Sequence, residues 1–416
     1  MNFNGLDNYK RIMETNWAYS MSTFPVSGLP FFLMPEYLSG VSERIGLDNE
    51  TRDKLIEIAN RICSDRDSLY VVWHMHCLLF SSYGNTEINA SELPDFGNLW
   101  GNSNSYVFNL LMAVSGLNKA IEGNNKQGIP EDVTLHTLQD ITLWCRYFKN
   151  ELDVTGIDRR ILGWIHQILH GRLFRLGRLQ FAMGQFRGNV HAFKEKRSGQ
   201  IIVFAADGVS FNALGQCDGV DGIYDPDSWE SSFSRGMDII TGNPITPSGY
   251  ALRNKTSIKM SEWEEVLTPG DSVLDVHIPG DGKMRFEDCV ESFDMATDFF
   301  RAFFPEKNFR AYCCHSWFLD PQLDELLNDN SNIVRVQRSL YLYPISSGAQ
   351  ESIRRIFGIK GINHATPETE LQKKVSSFIK QGGHLRGGGG FMLAKDLPLE
   401  YNKYRRFTHD YRTETK

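Results

Sequence analysis

Residues 273–278 read Val-Leu-Asp-Val-His-Ile. Pro279-Gly280-Asp281-Gly282-Lys283 follows, and then a segment in which Phe286, Val290, Phe293, Ala296, Thr297 and Phe300 recur at helical spacing. A short apolar run closed by proline and glycine predicts a strand, and the three-and-four spacing after it predicts one buried face of a helix. Downstream, 309–317 predicts a second strand, 321–327 a short helix and 333–343 a third, long strand. An order of strand, helix, strand, helix, strand makes part of the sheet parallel.

On the C-terminal side, two helices are expected near 351–357 and 368–379. A glycine-rich loop (Gly382, Gly383 and Gly387 to Gly390) should then lead into a last strand at 391–394. On the N-terminal side, Leu179, Phe181, Met183 and Gln185 alternate with smaller or polar residues, a period of two, and 201–206 is a β-type run before an Asp207-Gly208 turn. Upstream of about residue 170 the period changes to that of helices. Asp48 is a predicted N-cap for Leu55, Ile58, Ala59 and Ile62, and further helices are expected over 67–80 and 106–114. Another follows Pro130 with Leu138, Ile141, Cys145 and Phe148 on one face, and a last one carries Ile161, Ile165, Ile168 and Leu169. The chain is therefore expected to be α+β: a helical domain over 1–170, then a mixed sheet with flanking helices over 171–416.

Composition narrows the class. The 416 residues are 41% hydrophobic, 12% aromatic and 23% charged, the profile of a globular protein rather than a disordered or collagenous one. A net charge of -7 gives no whole-chain footprint for a nucleic acid, so no such partner is expected. Seven scattered cysteines, an odd number, argue against a disulfide framework and for a reducing, cytoplasmic setting. The longest apolar helical run, 71–80, is short and holds His74 and His76, so no membrane span is expected; those two histidines, two apart, point apart and should not share a metal. Polar residues Asn2, Asn4, Asp7, Asn8 and Lys10 break any signal-peptide core. The local signatures of P-loop NTPases, Rossmann dehydrogenases, zincins and α/β-hydrolases are absent, as is any C-x-x-C.

Three stretches carry a resemblance. Val276-His277-Ile278-Pro279, His315-Ser316-Trp317-Phe318-Leu319-Asp320-Pro321-Gln322-Leu323 and Ser331-Asn332-Ile333-Val334-Arg335-Val336-Gln337-Arg338 resemble a bacterial family. Its members place a GNAT-like acyltransferase domain behind a helical N-acyltransferase N-terminal domain, and Leu176-Gly177-Arg178-Leu179-Gln180-Phe181 resembles the start of the second domain. The resemblance spans roughly residues 35 to 395. It implies the fold and an acyl-CoA donor, such as acetyl-CoA, and supplies no acceptor; transfer to an amine on a small molecule or peptide, with no metal, is the function expected.

In a fold of this kind two neighbouring strands part and the donor lies along the exposed backbone. The resemblance maps this onto Val276 and Ile278, with the donor pyrophosphate at the loop of Gly280, Gly282 and Lys283, where a helix N-terminus favours an anion. Asp281 departs from the family's usual loop and would repel a phosphate; the alternative is a plain strand-to-helix turn. His277 and His315, each near the end of a predicted strand, are candidate catalytic bases for taking a proton from the acceptor amine, with Asp275 on the face of His277. The competing reading is a pair of hydrogen-bonded core histidines. Asp320 before Pro321 reads as a helix cap, Cys313 and Cys314 as packing residues, and Arg335 and Arg338 as ion-pair partners. Loop 81–105 is expected to form part of the acceptor pocket. Beside direct N-acyl transfer in a ternary complex, two readings stay open: a non-catalytic binding protein, and a transferase using an acyl-carrier protein or an aminoacyl-tRNA.

Overall fold

The structure is a computed structural model that describes residues 10–26, 28–81, 90, 93–94, 102–358, 361–362 and 366–405. Two compact units divide it, Met1–Arg175 with Pro279–Asp281, and Leu176–Ile278 with Gly282–Lys416.

The first unit is helical: Pro35–Ile45, Asn49–Cys63, Arg66–Phe80, Asn102–Ser115, Leu117–Lys126, Glu131–Leu138, Asp140–Leu152 and Arg159–Leu169, after two short N-terminal helices. Aspartates start three of them. Asp48, Asp65 and Asp158 accept the backbone N–H of Thr51 (2.8 Å), Ser68 (2.9 Å) and Ile161 (2.7 Å), satisfying donors that no intrahelical carbonyl reaches. The Asn102–Ser115 helix supplies the centre of the core with Leu110, Leu111, Met112, Ala113 and Val114, all fully buried. His74 and His76 do point apart: Nδ1 of His74 lies 2.8 Å from Ser20 Oγ, and Nδ1 of His76 lies 3.0 Å from Ser115 Oγ. Among the described residues no helix is long and apolar enough to cross a membrane.

The second unit is built on a six-stranded sheet whose first strand starts in the last residues assigned to the first. Its strands are β1 (Leu173–Leu176), β2 (Leu179–Gln185), β3 (Ser272–His277), β4 (Ala311–Ser316), β5 (Tyr341–Pro344) and β6 (Gly388–Leu393), in the spatial order β1-β2-β3-β4-β6-β5. β3 and β4 are parallel; β3 with β2, β4 with β6 and β5 with β6 are antiparallel, so the sheet is mixed as expected. Helix Phe286–Phe303 crosses between the two parallel strands and lays Phe293 against Phe181 and Tyr312, with ring centroids 5.7 and 5.1 Å apart. Between β2 and β3 the chain adds a four-stranded and a three-stranded antiparallel sheet, packed around Phe193, Phe204, Ile240 and Ile258.

Two expectations are corrected. The long strand at 333–343 is a helix, Asn332–Gln337, followed by the short β5. β-branched Ile333, Val334 and Val336 suggest a strand, but tertiary contacts decide. Gln337 is fully buried, and its side-chain amide donates to the carbonyls of Phe318 (2.7 Å) and Asp320 (2.9 Å), which requires the helical turn. The glycine-rich loop is shorter than expected: Gly382, Gly383 and Gly387 lie outside any strand, and the rest of the run does not. Gly388, Gly389 and Gly390 are the buried first half of β6, and a Cβ on any of them would meet Leu319, Tyr343 or Leu342. Glycine here serves close approach of neighbouring chain.

Burial holds the imidazoles of His74, His76 and His166 down to about pH 4. Their folded pKa values lie below the unfolded value near 6.5, so the unfolded chain binds more protons between the two. The stabilisation they give is complete above about pH 6.5 and is lost as pH falls toward 4. Each site gives up about 1.4 kcal/mol for every pH unit between those two values. Thermal melts followed by circular dichroism should therefore drop in midpoint between pH 7 and pH 4.5. Replacing His74 with Phe should flatten the slope; an unchanged slope counts against the buried histidines as its source.

Candidate active site

The parallel pairing of β3 and β4 stops halfway. Val273, Leu274 and Asp275 pair with Ala311, Tyr312 and Cys313, and no cross-strand pair follows. Beyond that point Val276 and His277 remain paired with Phe181 and Gln180 of β2, while Cys314, His315 and Ser316 remain paired with Gly390, Gly389 and Gly388 of β6. The two strands thus part while each keeps an outer partner. At the parting lies an apolar cavity of about 20 Å³, lined among others by Val276, Ile278, Phe293, Cys314, Phe318 and Leu340. That is room for about one water-sized group.

The face of the sheet opposite helix Phe286–Phe303 is polar at this point. Period-two alternation puts Asp275 and His277 of β3 on it, together with Cys313 and His315 of β4. Across β6, Gly389 stands opposite both His315 and Tyr343 of β5. With no side chain at Gly389, the Tyr343 ring lies over β6, and its Oη reaches His315 Nε2 at 2.7 Å, the rings nearly perpendicular at 86°. Gly184 leaves room in the same way for the Asp275 carboxylate. Arg187, which is exposed, approaches Asp275 at 3.8 Å.

These neighbours set the protonation states. Burial, then Arg187, then His315 hold the His277 imidazole down to about 4. His315, the exposed residue of its strand, is also held below 6.5, by desolvation of its recessed ring and then by Arg187. Burial raises the Asp275 carboxyl against the pull of Arg187. Both histidines are therefore neutral near pH 7, each with one ring nitrogen as donor and the other as acceptor.

Other sequence candidates fall outside this group. The thiols of Cys313 and Cys314 are buried and pushed up, Cys314 to about 12, so neither is a thiolate. Asp320 is fully buried with its carboxyl raised to about 6. It accepts the N–H of Gln322 (3.1 Å), as a cap would, and that of Arg386 (2.8 Å). Arg335 pairs with Glu287 at 2.8 Å, and Arg338 with Asp324 and Asp329; both sit at the Asn332–Gln337 helix instead of on a strand. Among the described residues no group of three or more His, Cys, Asp or Glu is placed to hold a metal.

The loop after β3 is shaped by arginines. Arg178 donates from Nη2 to the carbonyl of Gly282 (2.7 Å) and from Nε to that of Lys283 (3.1 Å), while Arg175 holds Asp281 at 2.8 Å. The acidic side chain that sets this loop apart is thereby neutralised. Gly280 and Lys283 are exposed, and the helix starts at Phe286 with Arg285 at its N-cap. Most of loop 81–105 lies outside the described residues, so its expected part in an acceptor pocket falls there too. Sequence reasoning does not find Tyr343 or Arg187. Tyr343 lies inside a segment that reads as continuous strand, and its link to Gly389 joins distant parts of the chain with no local signal.

Replacing Gly389 with Ala should put a methyl group into the Tyr343 ring. The overpacking should cost about 1–3 kcal/mol in denaturant unfolding. Arg187→Gln should raise both imidazole pKa values, read from histidine Cε1–H shifts in an NMR titration; unmoved values would remove Arg187 as the cause.

The family described as "GNAT-like C-terminal domain" matches residues 173–392, and the one described as "N-acyltransferase N-terminal domain" matches 36–171. No curated protein matches. Solved structures of similar fold include a mutant acyltransferase in complex with octanoyl-CoA (17% identity, TM-score 0.62, covering 93% of this chain and 95% of that one). Two others are an acyltransferase with decanoyl-CoA and teicoplanin (17%, TM-score 0.60, 93% and 96%) and one with CoA and 10C-teicoplanin (17%, TM-score 0.61, 93% and 96%). The chain belongs to the GNAT-like C-terminal domain family and carries the N-acyltransferase N-terminal domain ahead of it, the domain architecture of an acyltransferase.

Proposed function

We propose that this protein transfers an acyl group from an acyl-CoA to the amine of a small molecule or peptide, by direct attack in a ternary complex. The observation that carries this reading is the parting of β3 and β4 with two neutral imidazoles, His277 and His315, at the parted ends. A thioester can be laid between the strands because they pair no further beyond Asp275 and Cys313. Val276 and Ile278 would flank the pantetheine, and Gly280, Gly282 and Lys283 would meet the pyrophosphate. The structural neighbours with octanoyl-CoA, decanoyl-CoA and teicoplanin support a thioester donor and a small-molecule acceptor; acetyl-CoA is the simplest donor. Seven free cysteines fit a cytoplasmic setting.

The chemistry balances without a covalent enzyme intermediate. The amine lone pair attacks the thioester carbonyl carbon, forming the C–N bond and an oxyanion. An imidazole takes the proton from the attacking nitrogen. The oxyanion collapses, the C–S bond breaks, and the CoA thiolate receives that proton. The protonated, buried thiols of Cys313 and Cys314 argue against a route through an acyl-cysteine.

An acyl-CoA at a hundredfold excess over its Kd should stabilise the protein by about 2.7 kcal/mol. His277→Gln and His315→Gln, tested separately, should each lower turnover by about 10²–10⁴ if the residue is chemical, with donor binding kept. If no CoA thioester shifts the melting temperature at millimolar concentration, the donor reading gives way to a binding protein or to a carrier-borne acyl group. Activity lost only in proportion to folded protein marks that histidine as structural.

A further inference from the structure

The two histidines are not equivalent, and Tyr343 is what separates them. The Tyr343 side chain is fully buried, boxed by Phe186, Phe391, Gly188 and Gly389. Its hydroxyl has one hydrogen-bond partner among the described residues, Nε2 of His315 at 2.7 Å. Burial pushes the phenol far above its usual range, so it keeps its proton at any physiological pH. A buried O–H must be given to an acceptor, and the acceptor within reach is Nε2. Were Nε2 itself protonated, it would donate to the Tyr343 oxygen, and the hydrogen of that fully buried phenol would be left without an acceptor among the described residues. Nε2 therefore carries a lone pair, and in a neutral imidazole the ring proton then sits on Nδ1.

Resting on the acyl-transfer reading above, we propose that His315 is the hydrogen-bond donor of the site, held by Tyr343 in its Nδ1–H tautomer to meet the acyl carbonyl oxygen, and that His277 is the base. A ring whose Nε2 accepts from Tyr343 and whose Nδ1 already bears hydrogen cannot take a proton without reversing the Tyr343 bond and leaving the buried phenol hydrogen with no acceptor. It is suited to stabilising an oxyanion, where a fixed N–H gives its largest effect. His277 then takes the proton from the amine nitrogen as the C–N bond forms and returns it to sulfur as the C–S bond breaks. Tyr343 is a positioning residue: it acts through His315 and is not proposed to touch substrate.

The test is a side-chain ¹⁵N–¹H correlation spectrum of the ¹⁵N-labelled full-length protein at pH 7.5, with His315 assigned by its loss in His315→Gln. The expected result is His315 protonated at Nδ1 with a hydrogen-bonded, unprotonated Nε2. Tyr343→Phe keeps the ring that fills the core and removes only the hydroxyl. In it His315 should shift toward the Nε2–H form and its pKa should rise, while kcat falls at least tenfold and the donor KM stays nearly unchanged. An Nε2–H tautomer in the unmodified protein, or an unchanged tautomer and pKa in Tyr343→Phe, overturns the assignment. Neither spectrum needs a donor, whereas the melting shift with CoA thioesters tests the acyl-transfer reading on its own. The expected tautomer with no CoA binding overturns the catalytic role of His315 together with that reading.

Discussion

A sheet tolerates a gap between two of its strands only if each has another partner. β3 keeps all six of its residues paired with β2, and β4 keeps all six paired with β6, so the pairing lost beyond Asp275 and Cys313 leaves both strands anchored. Outer antiparallel ladders carry the backbone hydrogen bonds, and the inner parallel one is free to stop. The cavity and the nearness of the two imidazoles both follow from that single interruption. It also explains why the cavity falls at the parallel junction of this sheet. A crossover helix is needed there, and Phe286–Phe303 supplies it.

The glycines of β6 and β2 are the second half of the same arrangement. A mixed sheet in which every position carried a side chain would fill this polar face with cross-strand contacts. Gly389 instead lets an aromatic ring from β5 span β6 and touch β4, and Gly184 lets a β3 carboxylate lie over β2. Glycine in a strand costs conformational entropy and packing. Three in succession in β6 are held by the antiparallel pairs on both sides and by Leu319 and Leu342 closing over them.

Local signals are legible in the sequence, and contacts between distant residues are not. The strand and helix at 273–300 are readable because proline, glycine and a period of three to four mark their ends and faces. Asp48 is readable as a cap because capping is decided within three residues. His277 and His315 can be named because alternation along a strand is local; that their strands part cannot, because pairing depends on β2 and β6. The helix at Asn332–Gln337 escapes the sequence for the same reason. Its β-branched residues favour a strand, and only the amide of Gln337, reaching back to Phe318 and Asp320, shows why the chain turns there. A run of glycines carries no statement of what approaches it, so the first half of β6 reads as a loop.

The electrostatics follow from the packing. Two imidazoles at the parted strand ends, with an exposed guanidinium nearby, repel a further proton, and burial adds to that repulsion. Asp275, on the same face of β3, is itself raised by burial and engaged by Arg187. If His277 is the base, as proposed, one kept neutral in this way holds little driving force of its own. It suits a nitrogen that becomes acidic only after it has attacked the carbonyl carbon and taken on positive charge. The same surroundings disfavour binding of a protonated amine in the ground state. Under the proposed acyl transfer, such surroundings would favour the uncharged form of an amine acceptor before attack.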